Sequence, residues 1–338
     1  MLKLKFYLHA YYPFYVLFLN MKKILIIRLS SIGDIVLTSP VIRCLKQQSN
    51  CELHYLTKID YKMLLSSNPN IDKLILFKND LLSIINQLKS ENYNLIIDLQ
   101  NNIRSYLIKL SLNIRSYAIQ KNNFKKLLFI YFGIDLLNNH VVDTYFYALI
   151  DLGIFNDKKG LDYFLPHQMK VDLRIAAPFI AWSIGASFDQ KKLSKSQIIK
   201  ICNKLNVPIV LLGGNNEKNM GEYISKNTKN TQTYNLCGNL SLNESAFLIK
   251  KSKLVLTNDT GMMHIACAFK KKIISFWGCT KPKMGFSPYQ ADSDSISIVF
   301  NPSSRPCSRH GRYCRFTKWG CIKKINVDTI YAAIQKLL

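Results

Sequence analysis

From Lys23 onward the chain alternates short, wholly apolar runs with stretches of helical period. Ile24–Ile27, Leu53–Leu56, Leu74–Phe77 and Leu95–Ile97 have the continuous hydrophobicity of strands buried on both faces, and the intervals between them are long enough for crossover connections. A second series repeats the arrangement at Phe179–Trp182, Pro208–Leu212, Leu254–Leu256 and Ile273–Phe276. Between the two series, periodicity is lost around Gly160 and Pro166, as far as Pro178. These patterns predict an α/β protein of two Rossmann-like, doubly wound domains, residues 21–160 and 178–338, joined by a linker over 161–177. The cleft across which the domains face is the expected site. A last helix near Val327–Leu338 is placed to return across the domain boundary.

Composition narrows the picture. With 338 residues, 48% hydrophobic and 20% charged, the chain can fill two cores and is not a disordered one. Its 46 Lys+Arg against 21 Asp+Glu give +25, which favours anionic partners without choosing among them. Because the basic residues are spread along the chain, and no helix-turn-helix, RNP-like strand or zinc-finger spacing appears, nucleic acid is not an expected partner. Cys44, Cys202 and Cys267 lie in apolar-periodic segments, and no secretory cleavage site follows the N-terminus, so a reduced, cytoplasmic protein is expected. Residues 1–20 are too short and interrupted an apolar stretch to span a bilayer. They read as an extension, an upstream start or a membrane-surface anchor, with folding and activity expected to begin at Met21.

Two strand ends carry the candidate chemistry. After the first strand, Ser30-Ser31-Ile32-Gly33-Asp34 is a small-residue turn entering a helix with an acid at its mouth. It lacks the dinucleotide glycines, and its acid repels a pyrophosphate; Asp34 is either a helix cap or a carboxylate facing the cleft, free to take a proton from a hydroxyl. At the second, Asp259, Thr260 and Gly261 lie at a helix N-terminus suited to a diphosphate, with His264 within the first turns. The run Gly278-Cys279-Thr280-Lys281-Pro282 closes another strand with a turn that can line the same pocket.

These three motifs together resemble the heptosyltransferases of glycosyltransferase family 9, over nearly all of residues 21–325. The resemblance implies the two-Rossmann GT-B fold and inverting transfer without metal or cofactor. It also implies an ADP-heptose donor bound by the C-terminal domain and a lipid-linked lipopolysaccharide-core acceptor on the N-terminal domain. It places the general base at Asp34, within the acceptor-side loop of Ser30, Ser31 and Gly33, and the donor loop at Asp259, Thr260, Gly261 and His264. Ser187 and Lys191 or Lys192 fall where relatives contact donor phosphates, although Leu193-Ser194 replaces the usual Trp-Pro and leaves the choice of lysine open. Glu217 is either a contact to the donor's nucleoside or an exposed acid at a helix start. The setting implied is the cytoplasmic face of the inner membrane, with peripheral membrane contact.

Other features are read as local. Cys307, Cys314 and Cys321 follow a C-x6-C-x6-C spacing that differs from ordinary zinc motifs, and are expected to be structural without metal. The interleaved Arg305, Arg309, Arg312, Arg315 and Lys318 face either an acidic acceptor or solvent, and Asp292-Ser293-Asp294 reads as a solvated turn. Two rival functions remain: a related GT-B transferase with another nucleotide sugar, and a non-catalytic basic binding protein.

Overall fold

The computed structural model describes residues 23–171, 175 and 177–338. The N-terminal extension and part of the expected linker lie outside the described residues.

The apolar runs become parallel strands, and the chain divides into two units. Unit 1 starts with β1 (Lys23–Ile27), α1 (Ile32–Val36), α2 (Ser39–Gln48), β2 (Glu52–Lys58) and β3 (Lys73–Phe77), and continues with α3 (Leu81–Ser90), β4 (Leu95–Asp98), α4 (Ile103–Leu112) and β5 (Ser116–Ala118). Its sheet order is β3-β2-β1-β4-β5, all parallel, so the winding direction reverses between β1 and β4. Ile24 to Ile27 are fully buried because helices cover both faces of the sheet.

After β5 the chain forms α5 (Asn123–Phe132) and α6 (Val141–Tyr147). Here the structure departs from a contiguous 21–160 domain: residues 122–140 belong to unit 2, whereas 141–159 belong to unit 1. Phe129 and Ile130 of α5 pack with Met284, His140 Nε2 lies 3.0 Å from the Ser287 carbonyl, and Arg309 donates to the Asn123 side chain. The return to unit 1 is fastened by Asp157, which Arg43 of α2 holds through paired contacts at 2.8 Å. The Arg43 hydrogen bonds pull the Asp157 carboxyl down to about 2.

Unit 2 comprises β6 (Ile180–Ser183), α7 (Lys195–Lys204), β7 (Ile209–Leu212), α8 (Lys218–Asn227), β8 (Thr233–Asn235) and α9 (Leu242–Lys251). It ends with β9 (Leu254–Asn258), α10 (Gly261–Ala268), β10 (Lys272–Trp277), β11 (Ile296–Val299) and α11 (Val327–Leu337). The parallel order β11-β10-β9-β6-β7-β8 puts its switch point between β6 and β9. Its core is built on Trp182, Phe276, Ile201 and Ile274, each side chain contributing about 1.5–3 kcal/mol by burial. The last helix does not leave this unit: Ile330, Ile334 and Leu337 of α11 complete the same core, beside Ile198 of α7. The strands β5, β8 and β11, absent from the sequence reading, are three or four residues long, and all lie at sheet edges.

Candidate active site

Unit 1 carries its candidates on the turn between β1 and α1, at the carboxyl edge beside the switch point. Arg28, the buried residue after β1, donates from Nε to the Ser30 carbonyl (2.9 Å) and from Nη1 to the Leu99 carbonyl, and its Nη2 pairs with Asp34 Oδ1 at 2.7 Å. The other oxygen of Asp34 accepts from the Ser31 backbone N–H (3.2 Å) and hydroxyl (2.8 Å). Gln100, after β4, accepts from the N–H groups of Leu29 and Ser30 at 2.9 and 3.3 Å. Burial opposes the charge of Arg28, but Tyr145, whose ring centroid is 6.0 Å away, and Asp34 outweigh it and raise its pKa.

This arrangement corrects the expectation of a free carboxylate or a cap residue proper. Ser31 occupies the cap position, Asp34 sits at the third helical position and closes a capping box, and its second oxygen is ion-paired. Its side chain is 24% exposed, so a hydroxyl can still reach it. The guanidinium pairs with the carboxylate, the form that can accept a proton. Arg28 and Gln100 were missed by the sequence reading; the available signal was a charged residue closing a wholly apolar run.

Unit 2 gathers its candidates at the carboxyl edge around its own switch point. Asn258, the last residue of β9, donates from Nδ2 to the carbonyls of Ile184 (3.1 Å) and Gly185 (3.0 Å), which ties the loop after β6 to β9. Lys191 Nζ then meets Asp259 Oδ2 at 2.7 Å, and the Thr280 hydroxyl donates to the same oxygen at 2.8 Å. Thr260 is the N-cap of α10 and Gly261 its first residue, so the positive end of the helix dipole adjoins this pair.

Lys192 turns elsewhere, to Glu217 at 2.9 Å and Asp189 at 3.1 Å. Burial pushes its ammonium down, and the two carboxylates outweigh this and raise it. Glu217 is buried rather than exposed and accepts from the Gly214 N–H at 3.1 Å. A Cβ on Gly213 would stand 2.6 Å from that of Glu217, so the close approach requires glycine. Next in the chain, Leu193 is buried in the core and Ser194 caps α7, accepting from the Gln197 N–H at 3.2 Å. Ser187 is exposed in the loop after β6, and His264 is buried within α10. The structure thus assembles Lys191, Asp259, Thr260, Gly261 and Thr280 and sets Lys192 and Glu217 as a second pair.

The pattern of glycosyltransferase family 9 (heptosyltransferase) matches residues 81–319. The chain belongs to this family. A glycosyltransferase family 9 crystal structure from Veillonella parvula covers 95% of the chain and 98% of its own length at 20% identity, with a TM-score of 0.74. The structure of E. coli ADP-heptose lps heptosyltransferase II covers 93% and 98% at 18% identity, with a TM-score of 0.69. These likenesses establish the two-sheet GT-B fold of this family 9 protein. Lipooligosaccharide heptosyltransferase 2 of Haemophilus influenzae is 30% identical over 126 residues, 35% of this chain and 36% of the relative. Across the curated relatives the matched span is 32–58% of the relative's own length.

Proposed function

We propose that the protein is an inverting heptosyltransferase that moves heptose from ADP-heptose to a lipopolysaccharide-core acceptor, with no metal ion at the donor diphosphate. The observation that carries this reading is the Lys191–Asp259 pair at the mouth of α10, where a cation and a helix N-terminus converge in a family 9 fold. In the reaction Asp34 takes the acceptor proton as the hydroxyl oxygen bonds to the anomeric carbon, and the bond from that carbon to ADP breaks. Lys191 keeps one donor on Asp259 and has two N–H groups for phosphate oxygens, so the growing negative charge meets a fixed cation and dipole. Thr280 holds Asp259, and through it Lys191, in place.

Purified full-length protein is expected to consume ADP-heptose in preference to UDP- and GDP-sugars and to invert the anomeric centre, as read by NMR of the product. Turnover is expected to be unchanged when magnesium is omitted and excess EDTA is present during the assay. A rate abolished by EDTA and restored by magnesium would refute the metal-independent mechanism, and turnover confined to another nucleotide sugar would refute the donor.

A lipid-linked acceptor places the enzyme at the cytoplasmic membrane face. No helix of the described residues is long and apolar enough to cross a membrane. On α5, Phe124, Tyr131 and Phe132 are exposed beside the exposed Lys125, a combination suited to peripheral contact with anionic lipid. Vesicles containing phosphatidylglycerol are expected to sediment the protein, and a Phe124→Ser/Phe132→Ser variant is expected to stay in the supernatant. Equal sedimentation of both proteins would count against this contact.

A further inference from the structure

Between Val299 and Cys321 the chain runs without a strand or helix, an unusually long irregular stretch for a packed domain. Its anchorage is a cluster of thiols. Cys279 comes from the turn after β10, Cys307 and Cys314 from the irregular stretch, and Cys321 from the short 3-10 turn that ends it. All four sulfurs lie within 4.8 Å of one another, with Cys279 to Cys321 at 3.7 Å and Cys307 to Cys314 at 4.0 Å. Zinc–sulfur bonds of about 2.3 Å in a tetrahedron set sulfur–sulfur edges of about 3.8 Å, so these separations match four ligands around a common centre. A disulfide needs sulfurs about 2.0 Å apart and would use only two of them.

The surroundings also fit. Cys279, Cys307 and Cys321 are fully buried, and thiols are too weak as hydrogen-bonding groups to account for the convergence of four at one buried point. The Cys307 N–H donates to the Cys279 carbonyl at 2.8 Å, fixing two ligand-bearing segments to each other. Four thiolates on a divalent ion leave a negative charge that needs compensation. Lys281, two residues from Cys279, is buried with its ammonium on the carbonyls of Phe300 and Asn301, and Phe300 itself packs on the cluster. Arg315 donates to the carbonyls of Arg305 and Pro306, beside Cys307.

We propose that Cys279, Cys307, Cys314 and Cys321 form a closed tetrahedral thiolate site for a zinc-class cation, a structural staple separate from the transfer chemistry. Binding replaces four S–H bonds by four metal–sulfur bonds and releases four protons to solvent. With all four positions filled by protein, the ion has none open for substrate. The expectation of a metal-free trio is revised because the fourth ligand, Cys279, lies on another loop, 28 positions before Cys307. The staple bears on the donor side of unit 2: Thr280 adjoins Cys279, a Cβ on Gly311 would lie 2.6 Å from the stem of Lys191, and one on Gly320 would lie 2.5 Å from the Gln190 carbonyl.

The test is elemental analysis of the full-length protein purified without oxygen from metal-supplemented cells, alongside cobalt replacement of the bound ion. About one zinc or iron per chain is expected, the analysis itself telling the two apart, and the cobalt form should show thiolate-to-cobalt charge transfer with a tetrahedral d–d envelope. Cys279→Ser and Cys314→Ser should each lose most of the metal, whereas Cys51→Ser should retain it. The wild-type cobalt spectrum decides the matter even if a variant fails to fold. Metal near zero in the wild type, metal undiminished in the Cys279→Ser/Cys314→Ser double variant, or fewer than nine titratable thiols after denaturation with chelator would each overturn the site.

Discussion

Asp34→Asn is expected to lower kcat about 10²- to 10⁴-fold, the range associated with loss of a positioned general base. The amide keeps the shape and can still accept from Ser31, but it cannot take the acceptor proton. Sequence alone argues that stability should be unaffected; the Arg28 pair changes that expectation. An amide leaves a largely buried guanidinium without its counter-charge, although Arg28 keeps its bonds to the Ser30 and Leu99 carbonyls. A stability loss of about 1–3 kcal/mol follows, visible as a lower melting temperature. Turnover therefore has to be measured well below that temperature, with donor affinity determined in parallel and expected to be near normal. A kcat close to wild type in the folded variant would mean that the carboxylate serves only Arg28 and the helix cap.

For Lys191→Ala the expected result is different in kind: donor binding weakens about 10- to 100-fold, as for loss of a charged hydrogen bond, and kcat falls as well. Removing the ammonium also exposes the donor diphosphate to Asp259, which is only 13% exposed and would keep Thr280 as its partner. Part of the loss is thus repulsion, so Lys191→Ala/Asp259→Asn should recover some donor affinity. Lys192→Ala, by contrast, should chiefly disturb Glu217 and the loop after β7, with a smaller change in affinity. Isothermal titration with ADP on the three variants checks the ordering. If Lys192→Ala proves the more damaging and the double variant shows no recovery, the phosphate ligand has been assigned to the wrong lysine.

Much of the fold was legible because its central strands are buried on both faces and therefore written as unbroken apolar runs, as in Ile24–Ile27 and Ile209–Leu212. Edge strands lose that signal: Thr233–Asn235 is polar and only half-buried, and its pairing with β7 is visible only in three dimensions. The acid at Asp34 and the Asp259–Gly261 turn were readable as residue types at strand ends. Their partners were not, because Arg28 approaches Asp34 through the bend of a turn, and Lys191 reaches Asp259 across 68 positions of sequence. The same limit hid Cys279, since spacing rules see ligands close in sequence and this one joins from another strand end.

The assignment of α5 to unit 2 has a consequence for how the protein is made. Phe129 and Ile130 leave the ribosome with the first unit, but Met284, which they pack against, is translated roughly 150 residues later. At about 5–20 residues per second, these apolar side chains wait on the order of 10–30 s for their partner. Unit 1 can complete its sheet during that interval, because β1 to β5 and the Asp157 clasp are already synthesised. The second unit is held open until its own strands arrive, and its fold incorporates a segment born with its neighbour. Chain position and structural membership are therefore out of step: a gene fragment ending before residue 160 holds both segments of unit 1, whereas the remaining fragment lacks residues 122–140 and encodes an incomplete unit 2.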